Sequence, residues 1–389
     1  MTSILEVGVF PWLALAVVVI GWRVNPSGRR ALVVRLASSA ALIAVILYVG
    51  TRAFGAPPPL GRVAMITGLQ LSLIVPVVAA AELATRLFRG RLGRLPPKLA
   101  EAIATVVGQG GVFALAFPAL LLSLGLRRAN SSADLPAYAL GRPVQGTEFE
   151  GHGGTRLRGA WIHAPERRGV VLLVHGLAAD GMMFVPALEP LAKRGFDVFT
   201  FDQRGHGASG GHTSTLGARE QFDVLAAWNE VTRATRGERI PRLAVGISLG
   251  GAALQLASPE LEGLDGMLLD STFARSSAPA KRHVPLPGPL AELAFQLARI
   301  TAIPLLGTAV LDVSPIDAAS RSRPNLPVGI VHARGDGLVP YAEALALKDA
   351  YGERARLFTV EAATHPATFE AGRLYGQALD DLADRATAK

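Results

Sequence analysis

Gly246-Ile247-Ser248-Leu249-Gly250-Gly251 sets a serine between glycines two residues before it and two after it. This is the pattern of a nucleophile elbow, a sharp strand-to-helix turn that exposes the serine oxygen. Side chains at the two glycine positions would clash in such a turn. LAV precedes the motif and AALQLA follows it, so an apolar strand runs in and a helix runs out. A serine hydroxyl is a weak nucleophile and needs a base within hydrogen-bond reach. In chains with this elbow the order is Ser, then Asp or Glu, then His. His365, in EAATHPATF, is the only one of the eight histidines C-terminal to both the elbow and Asp336. Asp336, in VHARGDGLVP, ends the apolar run before it and would hold the imidazole tautomer and stabilise the imidazolium. Asp270, in LLDST, is the alternative acid.

A tetrahedral intermediate needs two preorganised N–H donors. The residue after the nucleophile, Leu249, supplies one, and Leu177, after His175-Gly176, the other. Their side chains are incidental because the backbone donates. His175 and His206 are assigned to ordering their loops rather than to proton transfer. The remaining histidines show no HExxH-type spacing and the chain has no cysteine, so neither a metal nor a cofactor is expected.

These residues must be carried by a sheet. GVVLLVHG, Gly169 to Gly176, is a continuous apolar run with β-branched enrichment and fits a strand buried on both faces. Similar runs start at Phe196, Arg242, Asp265, Pro327 and Ala355. Helical stretches lie between them, at Met182 to Arg194, Ala218 to Arg236 and Ala342 to Ala350. Such alternation predicts an α/β domain, an open and mostly parallel sheet covered on both faces, with its site at the carboxyl ends of the strands.

Formal net charge is +8, which raises the question of nucleic acid. Residues 1–135 carry 13 Lys and Arg against 4 Asp and Glu, whereas residues 136–389 carry 26 against 27. No cluster of basic residues interleaved with aromatics occurs, so no nucleic-acid partner is expected. The basic third also holds four apolar stretches, at about Val7 to Trp22, Ala31 to Val49, Val63 to Ala81 and Ala102 to Leu126. A membrane-spanning helix needs about 20 apolar residues. Residues 1–128 are therefore expected to form a multi-pass membrane region of about four helices, with membrane lipids as partners. Arg23, Arg29 and Arg30 follow the first segment, and Arg86, Arg89, Arg91, Arg94 and Lys98 follow the third. The positive-inside rule puts those loops in the cytoplasm and the C-terminal domain outside it. Residues 129–145 are polar and read as a linker, and 146–389 as the catalytic domain.

From about Gly146 onward the chain resembles the α/β-hydrolase superfamily, in particular the serine hydrolase branch that includes monoacylglycerol lipases and related esterases. LLVHGLAADG resembles the family's oxyanion loop, FDQRGHGASGG its DxRGHGxS turn, GISLGG its elbow and HARGDGLVP its acid loop. Two departures stand out: Ala333 where the acid loop usually has Gly, and Thr364 rather than Gly before His365. The resemblance implies Ser248 as nucleophile, Asp336 as acid, His365 as base, and Leu177 and Leu249 as oxyanion donors. It also implies a cap before the acid-bearing strand, a place filled here by 274–325. PLPGPLAELAFQLARITAIPLLGTAVL within it is apolar and reads as a helical lid over an acyl pocket. The expected activity is cleavage of lipid-like or small acyl esters through an acyl-enzyme. A peptidase or amidase of the same fold is the first alternative, weakly disfavoured by the scarcity of acidic residues in the cap. A membrane protein whose domain only binds a ligand is the second.

Overall fold

The computed structural model describes residues 134–388 apart from 283–287, together with scattered positions between 87 and 103. The four stretches expected to cross a membrane lie outside the described residues, Ile103 excepted. Among the described residues no helix is long and apolar enough to cross a membrane.

Among the described residues nine strands form one sheet: β1 Tyr138–Ala139, β2 Arg142–Gly151, β3 Thr155–Ile162, β4 Gly169–Val174, β5 Phe196–Phe201, β6 Arg242–Ile247, β7 Gly266–Asp270, β8 Val328–Ala333 and β9 Ala355–Val360. Their spatial order is β1-β2-β3-β5-β4-β6-β7-β8-β9. Strands β5, β4, β6, β7, β8 and β9 run parallel, and β1 to β3 form an antiparallel edge. The sheet therefore extends into the stretch 129–145 expected as a linker.

Every residue of β4 to β8 except Arg242 is buried, as the continuous apolar runs require. Alternation sorts them between two cores. Val170, Leu172 and Val174 pack under α2 (Glu220–Ala234), α3 (Leu249–Ala257) and α6 (Tyr341–Tyr351). Val171 and Leu173 face α1 (Glu189–Lys193) and α7 (Arg373–Thr387). Full burial of one such Leu or Val stabilises by about 1.5–3 kcal/mol.

One expected helix is broken. Met182 to Arg194 forms a turn, a 3-10 segment at Val185–Leu188 and the short α1. Pro186 and Pro190 stand in the first turns of those two segments, where a missing N–H costs nothing, but neither tolerates a full helical turn ahead of it. Between β7 and β8 the chain forms α4 (Ser277–Arg282) and α5 (Gly288–Leu306), in the interval expected to hold a cap. Phe295, Ala298 and Ala302 of α5 are buried together with Val310 and Leu311, and Leu177 and Leu216 pack against them.

Candidate active site

Strands β4, β6, β7, β8 and β9 end at one side of the sheet, and each hands its chain to a loop that carries one part of the site. Strand β6 ends at Ile247, and Ser248 takes φ 51°, ψ −115° before α3 begins. A non-glycine residue held at positive φ is strained and persists only where its surroundings fix it. Here the Ser248 N–H donates to the Asp270 carbonyl at 2.7 Å, and the Ser248 carbonyl accepts from Thr272 Oγ1 at 2.9 Å. The glycines are required by space. A Cβ on Gly246 would stand 2.6 Å from Gly251 Cα, and one on Gly250 would drive into the carbonyls of Val174 and His175.

The structure brings Ser248, His365 and Asp336 into one relay. Ser248 Oγ lies 2.9 Å from His365 Nε2, and His365 Nδ1 lies 2.7 Å from Asp336 Oδ2. An ionised carboxylate only accepts, so Nδ1 carries the proton and Nε2 is free to take one from the hydroxyl. Asp336 is buried, which pushes its pKa up. The bond and charge of His365 and the N–H groups of Val339 and Leu338 outweigh that, and the carboxyl lies below its ordinary value. Those two N–H groups donate to Oδ1 at 2.9 and 2.7 Å.

The expected oxyanion donors flank the serine. Leu249 is the first residue of α3, so its N–H has no acceptor within the helix. Leu177 follows Gly176, whose missing Cβ would lie 3.4 Å from Ser248 Cβ, so the loop passes directly beside the serine. His175 fixes that loop from behind. Its Nδ1 donates to the Gly176 carbonyl at 2.7 Å, its Nε2 accepts the Gln203 N–H at 3.0 Å, and the Gln203 amide donates to the His175 carbonyl at 2.6 Å. Burial lowers its pKa to about 4, which keeps the ring neutral and suits it to ordering. The His206 ring lies edge-on to it, with centroids 5.1 Å apart.

Asp270 does not touch the imidazole. Its Oδ1 accepts the Ala367 N–H at 3.1 Å, and its Oδ2 accepts the N–H of Thr368 at 3.1 Å and the Thr368 hydroxyl. It therefore pins the loop that follows His365 and is not the acid of the relay. Full burial raises its pKa to about 6. An acid whose native pKa lies above its unfolded value, about 3.9, holds its proton longer in the folded state. Stability then falls as pH rises from about 4 through 6, by about 3 kcal/mol in total. Asp270→Ala removes the acceptor of the Thr368 N–H and hydroxyl and one of the two acceptors of the Ala367 N–H, which keeps Ser271 Oγ at 2.8 Å, a loss of about 1–3 kcal/mol, and it abolishes the titration. The expected result is a lowered Tm whose deficit is larger at pH 5 than at pH 7.5. A deficit equal at both pH values, followed by thermal unfolding, would contradict this assignment.

Residues 165–321, less than half of the chain, match the family model described as serine aminopeptidase, S33. That span contains Leu177, Ser248 and Leu249 and ends before Asp336 and His365. The chain is 28% identical over 250 residues to the uncharacterized protein YfhR of Escherichia coli, covering 61% of this chain and 80% of that protein. It is 28% identical over 136 residues to the monoacylglycerol lipase of Mycolicibacterium smegmatis, covering 31% of this chain and 48% of that one. The Pyrococcus furiosus esterase Pf2001 superposes with a TM-score of 0.53 at 18% identity, over 66% of this chain and 100% of that one. The C-terminal domain has the α/β-hydrolase fold. In the α/β-hydrolase domain the five site-bearing loops follow five parallel strands, with the serine directly after β6, between β4 and β7. Among the described residues no cluster of three or more His, Asp or Glu is set to hold a metal ion.

Proposed function

We propose that the chain is a membrane-anchored serine hydrolase that cleaves carboxylic esters through an acyl-enzyme. The observation that carries this is the hydrogen-bonded run from Ser248 Oγ through His365 to Asp336. In this reading Ser248 Oγ attacks the ester carbonyl carbon as His365 Nε2 takes its proton. The N–H groups of Leu177 and Leu249 stabilise the oxyanion. Collapse expels the alcohol, which receives the proton from His365, and the acyl group stays on Ser248. Water, deprotonated by the same imidazole, then releases the acid.

Cap chemistry favours an ester over an amino-terminal peptide. An aminopeptidase needs a free carboxylate to hold the substrate's ammonium group. The carboxylates of α5 and of the turn after it are already engaged: Glu292 with Lys281 at 2.9 Å, and Asp312 with Arg299. The peptidase reading retains the support of the family match, and aminoacyl-nitroanilides tested beside p-nitrophenyl esters separate the two. Anchoring rests on the four apolar stretches of residues 1–128 and the arginines between them. With all four spanning, the hydrolase domain is extracytoplasmic, and a reporter fused to the C-terminus tests that side.

The decisive experiment is a fluorophosphonate probe on the full chain in non-ionic detergent. The expected adduct maps by mass spectrometry to the peptide containing Ser248. An adduct elsewhere, or none on folded protein, overturns the reading.

A further inference from the structure

Strand β8 is buried throughout, and every residue in it but one is apolar. The exception is His332, fully buried and paired in register with Thr359 of β9. A buried imidazole is costly unless both of its nitrogens find partners. Here one does. Nε2 lies 3.1 Å from the Val339 carbonyl, which can only accept, so Nε2 carries the proton and donates. Nδ1 is left with a buried lone pair and has no hydrogen-bond partner among the described residues. The Tyr341 ring stands edge-on to the imidazole at 5.9 Å, with its hydroxyl engaged by Thr359 Oγ1 at 2.5 Å. Burial lowers the pKa of His332, against the Val339 carbonyl and the charge of Asp336, which raise it, and the ring stays neutral.

A leucine would fill the same place in the strand without the orphan nitrogen, so what the imidazole contributes lies on its Nε2 side. Val339 links that side to the acid. Its carbonyl accepts from His332, and its N–H donates to Asp336 Oδ1 at 2.9 Å. The other donor to Oδ1 is the N–H of Leu338, a residue 43% exposed, whereas Val339 is 1% exposed and packs with Ala252 and Phe273. The buried anchor of the acid loop is therefore the residue that His332 holds. The same Nε2 lies 3.6 Å from Asp336 Oδ2, too long for a hydrogen bond of its own. Oδ2 is the oxygen that accepts from His365 Nδ1. His332 thus stands behind both carboxylate oxygens, on the side away from the base.

We propose that His332 is a positioning residue of the relay. By holding the Val339 carbonyl it fixes the residue whose N–H sets Asp336 Oδ1, and so aims Oδ2 at His365. This rests on the serine-hydrolase reading and adds a fourth side chain to its machinery. His332 reaches none of the reacting atoms and acts only through Val339 and Asp336. Its orphan Nδ1 is tolerated because the Nε2 proton serves the acid.

The test measures p-nitrophenyl butyrate hydrolysis by the full chain in non-ionic detergent. His332→Leu is expected to lower kcat by about 10- to 100-fold and to change KM by less than about twofold. His332→Gln places its amide nitrogen near the position of Nε2 and is expected to recover kcat to within about fivefold of wild type. Packing alone predicts the reverse order, since Leu suits an apolar strand and Gln does not. Should His332→Leu not fold, His332→Asn takes its place, polar but too short to reach the Val339 carbonyl. The effect must also depend on the acid. In an Asp336→Asn background His332→Leu is expected to cost less than about twofold, because no carboxylate is left to aim. A Gln variant as slow as the Leu variant, a loss carried by KM, or an equal loss in both backgrounds overturns the proposal. The parent reading is judged separately, by probe labelling at Ser248. Should labelling fail, the low-field proton resonance of His365 Nδ1, identified by its absence in Asp336→Asn, still decides. Its loss in His332→Leu upholds the positioning role, and an unchanged resonance overturns it.

Discussion

Ser248→Ala lowers ester turnover by about 10⁴- to 10⁶-fold, or about 5–8 kcal/mol of transition-state stabilisation. The loss is that large because Ser248 Oγ is the oxygen within reach of His365 Nε2, at 2.9 Å. Residual turnover then rests on the two oxyanion N–H groups and on binding. The substitution keeps the fold. The strained φ of 51° is held by the backbone bonds to Asp270 and Thr272, and neither involves the hydroxyl. Alanine fits a site already shaped for a Cβ between Gly246 and Gly250. Steady-state hydrolysis of a p-nitrophenyl ester, with Tm matched to wild type, measures the effect. A drop of less than about tenfold would place the nucleophile elsewhere.

How much of this was legible beforehand differs from residue to residue, for physical reasons. Strands β4 to β8 are buried on both faces and announce themselves as unbroken apolar runs. The elbow is legible because its glycines are dictated by steric contact at Gly246 and Gly250 and by nothing else. Asp336 and His365 follow from chain order once the serine is found. The antiparallel edge is not legible. In β2 and β3 one face is partly exposed, and Gly146 and Gly159 interrupt the alternation. Helix α7 is legible only as a period: Tyr375, Ala378, Leu379, Leu382 and Ala386 bury one face at helical spacing. Asp270 shows a deeper limit. It ends a strand as an acid of the relay would, and only the return of residues 367 and 368 onto its oxygens shows that it anchors a loop.

Asp336→Asn lowers kcat by about 10⁴-fold with little change in KM. The direction follows from which oxygen does what. Asp336 Oδ1 accepts the N–H groups of Leu338 and Val339 at 2.7 and 2.9 Å, and Oδ2 accepts from His365 Nδ1. An asparagine must leave its carbonyl oxygen facing the two backbone donors, because an NH₂ there would meet N–H head-on. Its NH₂ then falls on the histidine side and donates to Nδ1. That forces the ring proton onto Nε2, the nitrogen that faces Ser248 Oγ, and the base loses its lone pair at the one position where it is needed. Loop geometry survives because both bonds to Oδ1 survive, so the variant folds and binds substrate. The carboxylate also supports the imidazolium formed during attack, and a neutral amide removes that support. Turnover of a p-nitrophenyl ester across a substrate series separates kcat from KM. Near-wild-type kcat in this variant would remove Asp336 from the relay, and a large rise in KM with kcat unchanged would make it a residue of substrate binding instead.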